Sequence, residues 1–373
     1  MKKILLLLVA MFAFIGNINA QVWNMVVTHK DGTVQVIKAS DVENVTFQLP
    51  DQNADQVIIK ELYTTGVPIE NDPKNFFQID KGFILYNNGG KTAVISNLAI
   101  GILDPYNAQS VANAWYSTGA TEPSYVSQGW VPAACGIWYF PNSLIIEPYS
   151  QVVISCMGAI DNTKTYPQSI NYANKDYYTM YDPESGFKNP KYYPTPADVI
   201  PTSQYLKAVE YGQANAWPLS ATSPGFFIFQ TKNTTPAAFA NDASNITYAP
   251  GKAQNKINAV LKVPTDWIID GVEVYEKINE SKSKKRFGSD VDAGYVMQTV
   301  KLGHSVYRNV DVEATKKIEG NTAKLVYNYQ YGADPSHIDA EASMKNGAKI
   351  VYMDTNNSTS DFHERKQFSL RDK

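Results

Sequence analysis

Val57-Ile58-Ile59-Lys60-Glu61-Leu62-Tyr63, then Gly82-Phe83-Ile84-Leu85-Tyr86, then the apolar run 93–103 decide the fold class of this chain. Each is short, rich in β-branched and aromatic residues, and separated from the next by turn formers such as Asn87-Asn88-Gly89-Gly90. Downstream, 136–140, 144–147 and 152–156 read as a meander that turns at Pro141-Asn142 and Pro148-Tyr149. Further strands are expected at 225–230, 267–275 and 349–352. This spacing predicts an all-β chain folded as a sandwich, two sheets each burying one face. Helix signals are weak, and 249–261 and 337–346 are the best candidates.

Outward toward the N-terminus, Pro50 to Asp55 reads as a linker. Before it, 22–28 and 34–37 flank His29-Lys30-Asp31-Gly32, and 42–47 follows. An Asp-Gly turn between alternating apolar runs predicts a hairpin, with too few residues for a core of its own. Earlier still, Lys2 and Lys3 precede the apolar run 4–15, and Ala20 ends a polar stretch. That run is too short to span a bilayer and has the order of a secretory signal, cut after Ala20. No cysteine follows it, so no direct membrane anchor is expected. The organisation expected is 1–20 signal peptide, 21–50 hairpin segment and 51–373 sandwich domain, with a Tyr-rich insertion at about 162–224.

The net charge is −3, and losing Lys2 and Lys3 with the signal takes it to −5. Nucleic-acid binding needs a basic footprint that this chain lacks. The two cysteines, Cys135 and Cys156, leave two readings open: a disulfide in an oxidising compartment, or two buried thiols.

Several stretches resemble chemical motifs but lack residues those motifs require. Gly89-Gly90-Lys91-Thr92 ends like a phosphate-binding loop, but Leu85 stands where its first glycine belongs. Gly303-His304-Ser305-Val306-Tyr307 begins like a nucleophile elbow, but Tyr307 holds the place of the last glycine. In a strand, His304 and Ser305 would also face opposite ways. His337 with Asp334 and Asp339 reads as a helix start, with Asp334 or Ser336 as cap, before it reads as a metal site. Asp354, Asn356 and Asp361 space oxygens as loose calcium loops do, although an EF-hand is excluded by Thr359 and Arg365 at its glycine and glutamate places. The alternative there is a loop held by Asx-turns. Lys282 to Arg286 reads as a solvated basic loop. No catalytic set and no cofactor motif emerges.

The chain has 24 tyrosines, many of them between 166 and 211 among prolines and asparagines. Tyr177, Tyr178, Tyr181, Tyr192, Tyr193 and Trp217 are the candidate ligand-binding residues, because exposed rings stack on sugars or apolar peptide. The competing reading is that they hold the insertion against the sandwich.

Residues 57–63, the strand and turn 82–88 and the strand 94–101 resemble the opening of a lamin-tail-like domain. Such domains carry an I-x-E-h-Y strand, then a strand ending in an aromatic residue and asparagines. Glu61 and Asn87 match that pattern. Residues 139–155 resemble the family's Y-F-P meander, with Tyr149 where glycine is frequent and Asn97 where aspartate or serine is usual. Residues 347–362 resemble the terminus of an uncharacterised exported family of Bacteroides-type bacteria, over about 57–370 in all. The resemblance implies a lamin-tail-like, Ig-like β-sandwich with long loop insertions, and an interaction module more than an enzyme.

The expectation is therefore an exported, non-catalytic binding or accessory protein of the cell envelope, acting in the periplasm, at the surface or secreted. It would take a glycan or peptide ligand, or an outer-membrane or surface protein partner such as a transporter. The alternatives are a structural part of a surface assembly, or a hydrolase whose carboxylates come from distant positions. Mass spectrometry of the exported chain is expected to find Gln21 as the first residue; a chain beginning at Met1 outside the cytoplasm would contradict the cut.

Overall fold

A computed structural model describes residues 23–43, 45, 50–70, 72–109, 113–212 and 215–372. The signal segment 1–20 and its cut after Ala20 lie outside these residues. The chain forms two compact units, Met1–Gln48 and Leu49–Lys373. In the first, β1 (Asn24–Thr28) and β2 (Val34–Lys38) pair antiparallel, with Thr28 opposite Val34. Gly32 takes φ +85° in the turn, and Asp31 accepts from the Thr33 N–H. Of the strand expected at 42–47, Val42, Glu43 and Val45 are not in strand, and the rest lies outside the described residues.

The second unit carries, in order, β3 (Val57–Tyr63), β4 (Val67–Ile69), β5 (Asp72–Phe77), β6 (Gly82–Asn87), β7 (Ala93–Ile95), β8 (Leu98–Ile102), β9 (Trp130–Ala134) and β10 (Gly136–Tyr139). Then come β11 (Leu144–Ile146), β12 (Gln151–Ser155), β13 (Tyr178–Met180), β14 (Tyr205–Glu210), β15 (Gly225–Gln230), β16 (Ile246–Tyr248), β17 (Ala259–Pro264), β18 (Ile268–Glu276) and β19 (Val296–Gln298). β20 (Ser305–Arg308) and β21 (Phe362–Arg365) close the series. The helices are short: α1 (Pro236–Asn241), α2 (Val312–Lys317), α3 (Ala340–Lys345) and α4 (Ser358–Asp361).

Twelve strands hydrogen-bond in one sheet, in the order β19-β18-β15-β8-β10-β14-β13-β12-β6-β3-β20-β21. Alternation explains its shape. Phe83 and Leu85 of β6, Ile100 and Ile102 of β8, Trp138 of β10, Ile154 of β12, Phe226 and Ile228 of β15, and Val272 and Val274 of β18 share one buried cluster. A single sheet whose one face meets itself in a common core has curled almost closed. The paired strands β7 and β11 add Ala93, Ile95, Leu144 and Ile146 to that core.

The outer face is covered as well. Ala99, Ile137, Phe227 and Phe229 point outward and pack with Val131, Ala133, Leu261 and Val263 of the three-stranded sheet β16-β17-β9. Ile58, Tyr86 and Tyr307 meet Ile338, Ala340, Ile350 and Tyr352. This is why β6, β8 and β15 read as unbroken apolar runs. Gly101 is needed where it stands, because a Cβ there would lie 2.3 Å from the Phe227 ring.

The all-β class expected from sequence is what forms, but as one continuous curled ladder. The segment expected as an insertion supplies β13 and β14, which lie between β12 and β10 in the sheet; β13 is parallel to β12 and β14, and β14 is antiparallel to β10. The helix expected at 249–261 does not form: after Pro250-Gly251 the chain turns, and 259–264 becomes β17 between β16 and β9. The helix expected at 337–346 begins later, capped by Asp339 on the Ala342 N–H. Asp334 instead accepts from the backbone of Ser336 and Val310.

The two sides of the curl are linked from inside. Asp270 of β18 accepts from the Ile59 N–H of β3 at 2.6 Å and from Arg308 Nη2 of β20 at 2.6 Å. Arg308 Nε donates to the Ile59 carbonyl at 2.8 Å, and both side chains are almost wholly buried. Removing one partner of such a pair leaves an uncompensated charge. In urea unfolding, Arg308→Met is expected to cost about 3–5 kcal/mol, with part regained in Arg308→Met/Asp270→Asn. An unchanged midpoint in the single variant would contradict this linkage.

Candidate functional site

Two cavities concentrate the chemistry of the second unit. The first is a cleft of about 620 Å³ at one end of the curled sheet. β6 is preceded by Lys81, which lines the cleft together with Met157, Trp217 and Leu219. Lys81 and Trp217 are buried, at 4% and 1% exposure. The segment 189–193 is folded by Asn189, whose carbonyl accepts from the Tyr192 and Tyr193 N–H groups. That fold sends Tyr193 into the core, where its hydroxyl accepts from the Trp217 N–H, and leaves Tyr192 on the cleft. Tyr106, Asn107, Gln78, Asn189, Asn215 and Thr222 complete the polar lining. Asn189 Nδ2 donates to Asn215 Oδ1 at 3.2 Å, and Asn107 Nδ2 to Thr222 Oγ1 at 3.0 Å. Aromatic rings beside neutral amides suit a polar, uncharged surface such as a sugar.

The second cavity, of about 670 Å³, lies at the seam where β19 and β21 approach. Val296, Met297, Phe362 and Tyr295 line its apolar part. At its polar end, His304 Nδ1 and Glu364 Oε1 are 2.7 Å apart. Glu364 also accepts from the Thr299 N–H at 2.6 Å and pairs with Lys277. Burial alone would raise its pKa, but the His304, Lys277 and Thr299 hydrogen bonds outweigh that and hold it down at about 2. An ionised Glu364 fixes Nδ1–H on His304 and leaves Nε2 without a partner among the described residues. His363 lies beside it, buried, between Asn309 Oδ1 on Nδ1 and the Tyr329 hydroxyl on Nε2.

The six candidate ligand-binding residues separate. Tyr192 and Trp217 line the cleft. Tyr193 is core, and Trp217 is core on its other side. Tyr177 packs beside Ile170 and Tyr172, Tyr178 meets the Phe140 ring at 5.3 Å, and Tyr181 meets Tyr205 at 5.5 Å. Tyr178 and Tyr181 pack against the inner core, and the three do not meet at one site.

Asp354, Asn356 and Asp361 do not assemble for a metal. Asp361 accepts from the N–H groups of Thr355 and Asn357, and Arg308 Nη1 stands 3.3 Å from Asp354 and 3.6 Å from Asp361. A guanidinium thus holds the position that a cation would take, and no group of three or more His, Cys, Asp or Glu side chains that could hold a metal ion occurs among the described residues. Cys135 and Cys156 are both free thiols, so the disulfide reading is corrected. Burial pushes the Cys135 thiol up to about 12 and Cys156 higher still. The basic loop is corrected in part: Arg286 is fully buried, with Nε on Glu273 Oε1 at 2.7 Å.

Sequence reading missed Lys81, Tyr106, Asn107, Asn189 and Asn215. The available signal was an aromatic within two residues of an asparagine, in Tyr106-Asn107 and in Asn215-Ala216-Trp217. It also missed Glu364 as the partner of His304, 60 residues away.

The fold and the cleft define an all-β protein built on a nearly closed sheet. Residues 147–324 match a family described as protein of unknown function (DUF4876), a span just under half of the chain. A crystal structure of a DUF4876 family protein from Bacteroides thetaiotaomicron VPI-5482 is similar, with a TM-score of 0.59 and 19% identity over 94% of this chain and 83% of that one. At that identity the likeness shows the fold. Both findings agree with the resemblance to a Bacteroides-type family. No curated protein matches the chain.

His363 yields a pH test. Its pKa is pulled from 6.5 to about 3, first by burial and then by Arg365. A histidine depressed in the folded state contributes stability above pH 6.5 that is lost as pH falls toward 3. Melting temperature is expected to fall through that window less steeply in His363→Asn than in the parent. Parallel curves would contradict a buried neutral histidine.

Proposed function

We propose that this chain is an exported, non-catalytic binding protein of the cell envelope that holds a glycan in the cleft of Tyr192 and Trp217. One observation carries this reading: tyrosine rings and neutral amides converge on a cleft of about 620 Å³. Tyr106 is about half exposed at its rim, and Tyr192 is part-exposed. Rings there meet sugar faces, and the amides of Gln78, Asn107, Asn189 and Asn215 meet hydroxyls. Export rests on the Lys2-Lys3 and 4–15 pattern of the sequence. Retention at the envelope would come from an outer-membrane or surface partner such as a transporter.

The finer fold relationship belongs to the same proposal. We read the two halves of the curled sheet as the layers of a lamin-tail-like, Ig-like sandwich. Supporting this, β3, β6 and β12 are antiparallel neighbours and carry the quoted motif residues. Glu61 lies after a bulge at Lys60, which turns both residues outward, and its carboxylate accepts from the Ser369 N–H and the Ser305 hydroxyl.

A second reading, hydrolysis, is favoured by the seam cavity. There His304, oriented by Glu364, has the form of a general base that would activate water.

Tyr192→Ala and Asn215→Ala are each expected to weaken glycan binding, roughly tenfold for the lost ring contact, with the melting temperature little changed. Titration calorimetry against an oligosaccharide panel tests this. Binding that is unchanged in both variants, or selective for extended peptides, would overturn the glycan reading. Turnover of ester or glycoside substrates that disappears in His304→Ala would favour the second.

A further inference from the structure

The floor of the cleft is made of hydrogen-bond donors that the protein leaves unfilled. Lys81 is the clearest case. Its ammonium has three N–H donors. Among the described residues it meets one acceptor, the Leu219 carbonyl. No described carboxylate lies within ion-pair distance of it. Asp80, its chain neighbour, turns to the Tyr63 and Ser169 hydroxyls instead. The second case is the Trp217 indole: its Nε1 is buried and has no acceptor.

A buried cation without a directly paired carboxylate is costly, and so is a buried donor without an acceptor. Such groups call for an explanation, and where they line a cleft a ligand that completes them supplies one. Around Lys81 and Trp217 the lining contains amides, hydroxyls, aromatic rings and aliphatic groups, and no aspartate or glutamate. A positive charge with no carboxylate paired to it, and only Asp80 acting from further off, selects at the bottom of a neutral cleft a ligand with one well-placed negative charge.

Resting on the glycan reading above, we infer that the cleft takes an acidic glycan whose carboxylate reaches Lys81. A uronate ring presents the right parts. Its faces stack on Tyr192 or Tyr106, its hydroxyls meet the amides, and its carboxylate accepts from the ammonium. Burial draws the Lys81 pKa down to about 8, with Cys156 and Asp80 acting in the opposite sense, so the ammonium stays mostly charged at neutral pH. The carboxylate forms a charge-assisted hydrogen bond in a place that water reaches poorly. The chain as a whole is acidic, so general attraction of anions does not supply this preference.

The test is calorimetric titration of the intact protein with an oligogalacturonide and with a neutral galactose oligosaccharide of the same length. The acidic sugar is expected to bind about tenfold tighter or more, the size of one charge-assisted hydrogen bond. Lys81→Met is expected to remove that difference. Equal affinity for the two sugars in the parent protein would overturn the inference and leave the glycan reading standing. Failure of both sugars, and of the wider oligosaccharide panel, would overturn the two together. The comparison of sugars uses only the parent protein, so it holds even if Lys81→Met does not fold.

Discussion

Arg308 and Asp270 meet inside the curled sheet, and the architecture depends on them. A sheet that bends on itself without full pairing leaves backbone groups that have no neighbouring strand. At Ile59 both groups are met by side chains, the N–H by Asp270 and the carbonyl by Arg308. The same arginine donates to the Met353 carbonyl and lies 4.5 Å from the Phe362 ring centroid. One guanidinium therefore holds β3, β20, β21 and the segment at Met353 in a single arrangement with β18. At the seam, Glu364 does similar work through the Thr299 N–H, His304 and Lys277.

Once the curl is fixed, the covering layers follow. The inner face is apolar apart from the Asp270–Arg308 pair, and the outer face is covered as well where Phe227, Phe229, Tyr86 and Tyr307 emerge. Polar groups on that outer face are drawn into networks. Lys60 is fully buried beside Tyr86, Tyr307 and Tyr352, with Glu341 Oε1 at 2.5 Å and Gln151 Oε1 at 2.5 Å. Glu61, next to it across the bulge, has its pKa raised to about 7, chiefly by burial, with Arg365 and two serines opposing. The bulge lets two charged neighbours share one face, which regular alternation forbids.

Much of this was legible in the sequence and some was not, for a physical reason. Strand segments are local, so 57–63, 82–86, 136–140, 152–156 and 225–230 were readable from β-branched and aromatic content and flanking turns. The opposite facing of His304 and Ser305 was readable from strand alternation: His304 meets Glu364 while Ser305 Oγ meets Glu61. What closes the sheet is non-local. Asp270 and Arg308 stand 38 positions apart, and Ile59 is 211 from Asp270. A charged residue inside an apolar strand, as at Asp270 or Lys60-Glu61, was the trace left in the sequence. The tyrosines misled because ring content does not tell surface from core. Tyr193 is buried and its neighbour Tyr192 is part-exposed, a division made by the turn at Asn189. Asp354 and Asp361 misled because a guanidinium from a distant strand occupies the place of a cation.

The central claim is that ligand recognition belongs to the cleft floored by Lys81 and Trp217. Hydrogen–deuterium exchange with and without a bound oligosaccharide tests it most directly. The account predicts slowed exchange at 189–193 and 215–222, with the seam strands at 295–299 and 362–366 unchanged. Protection confined to the seam, with the cleft unaltered, would contradict it.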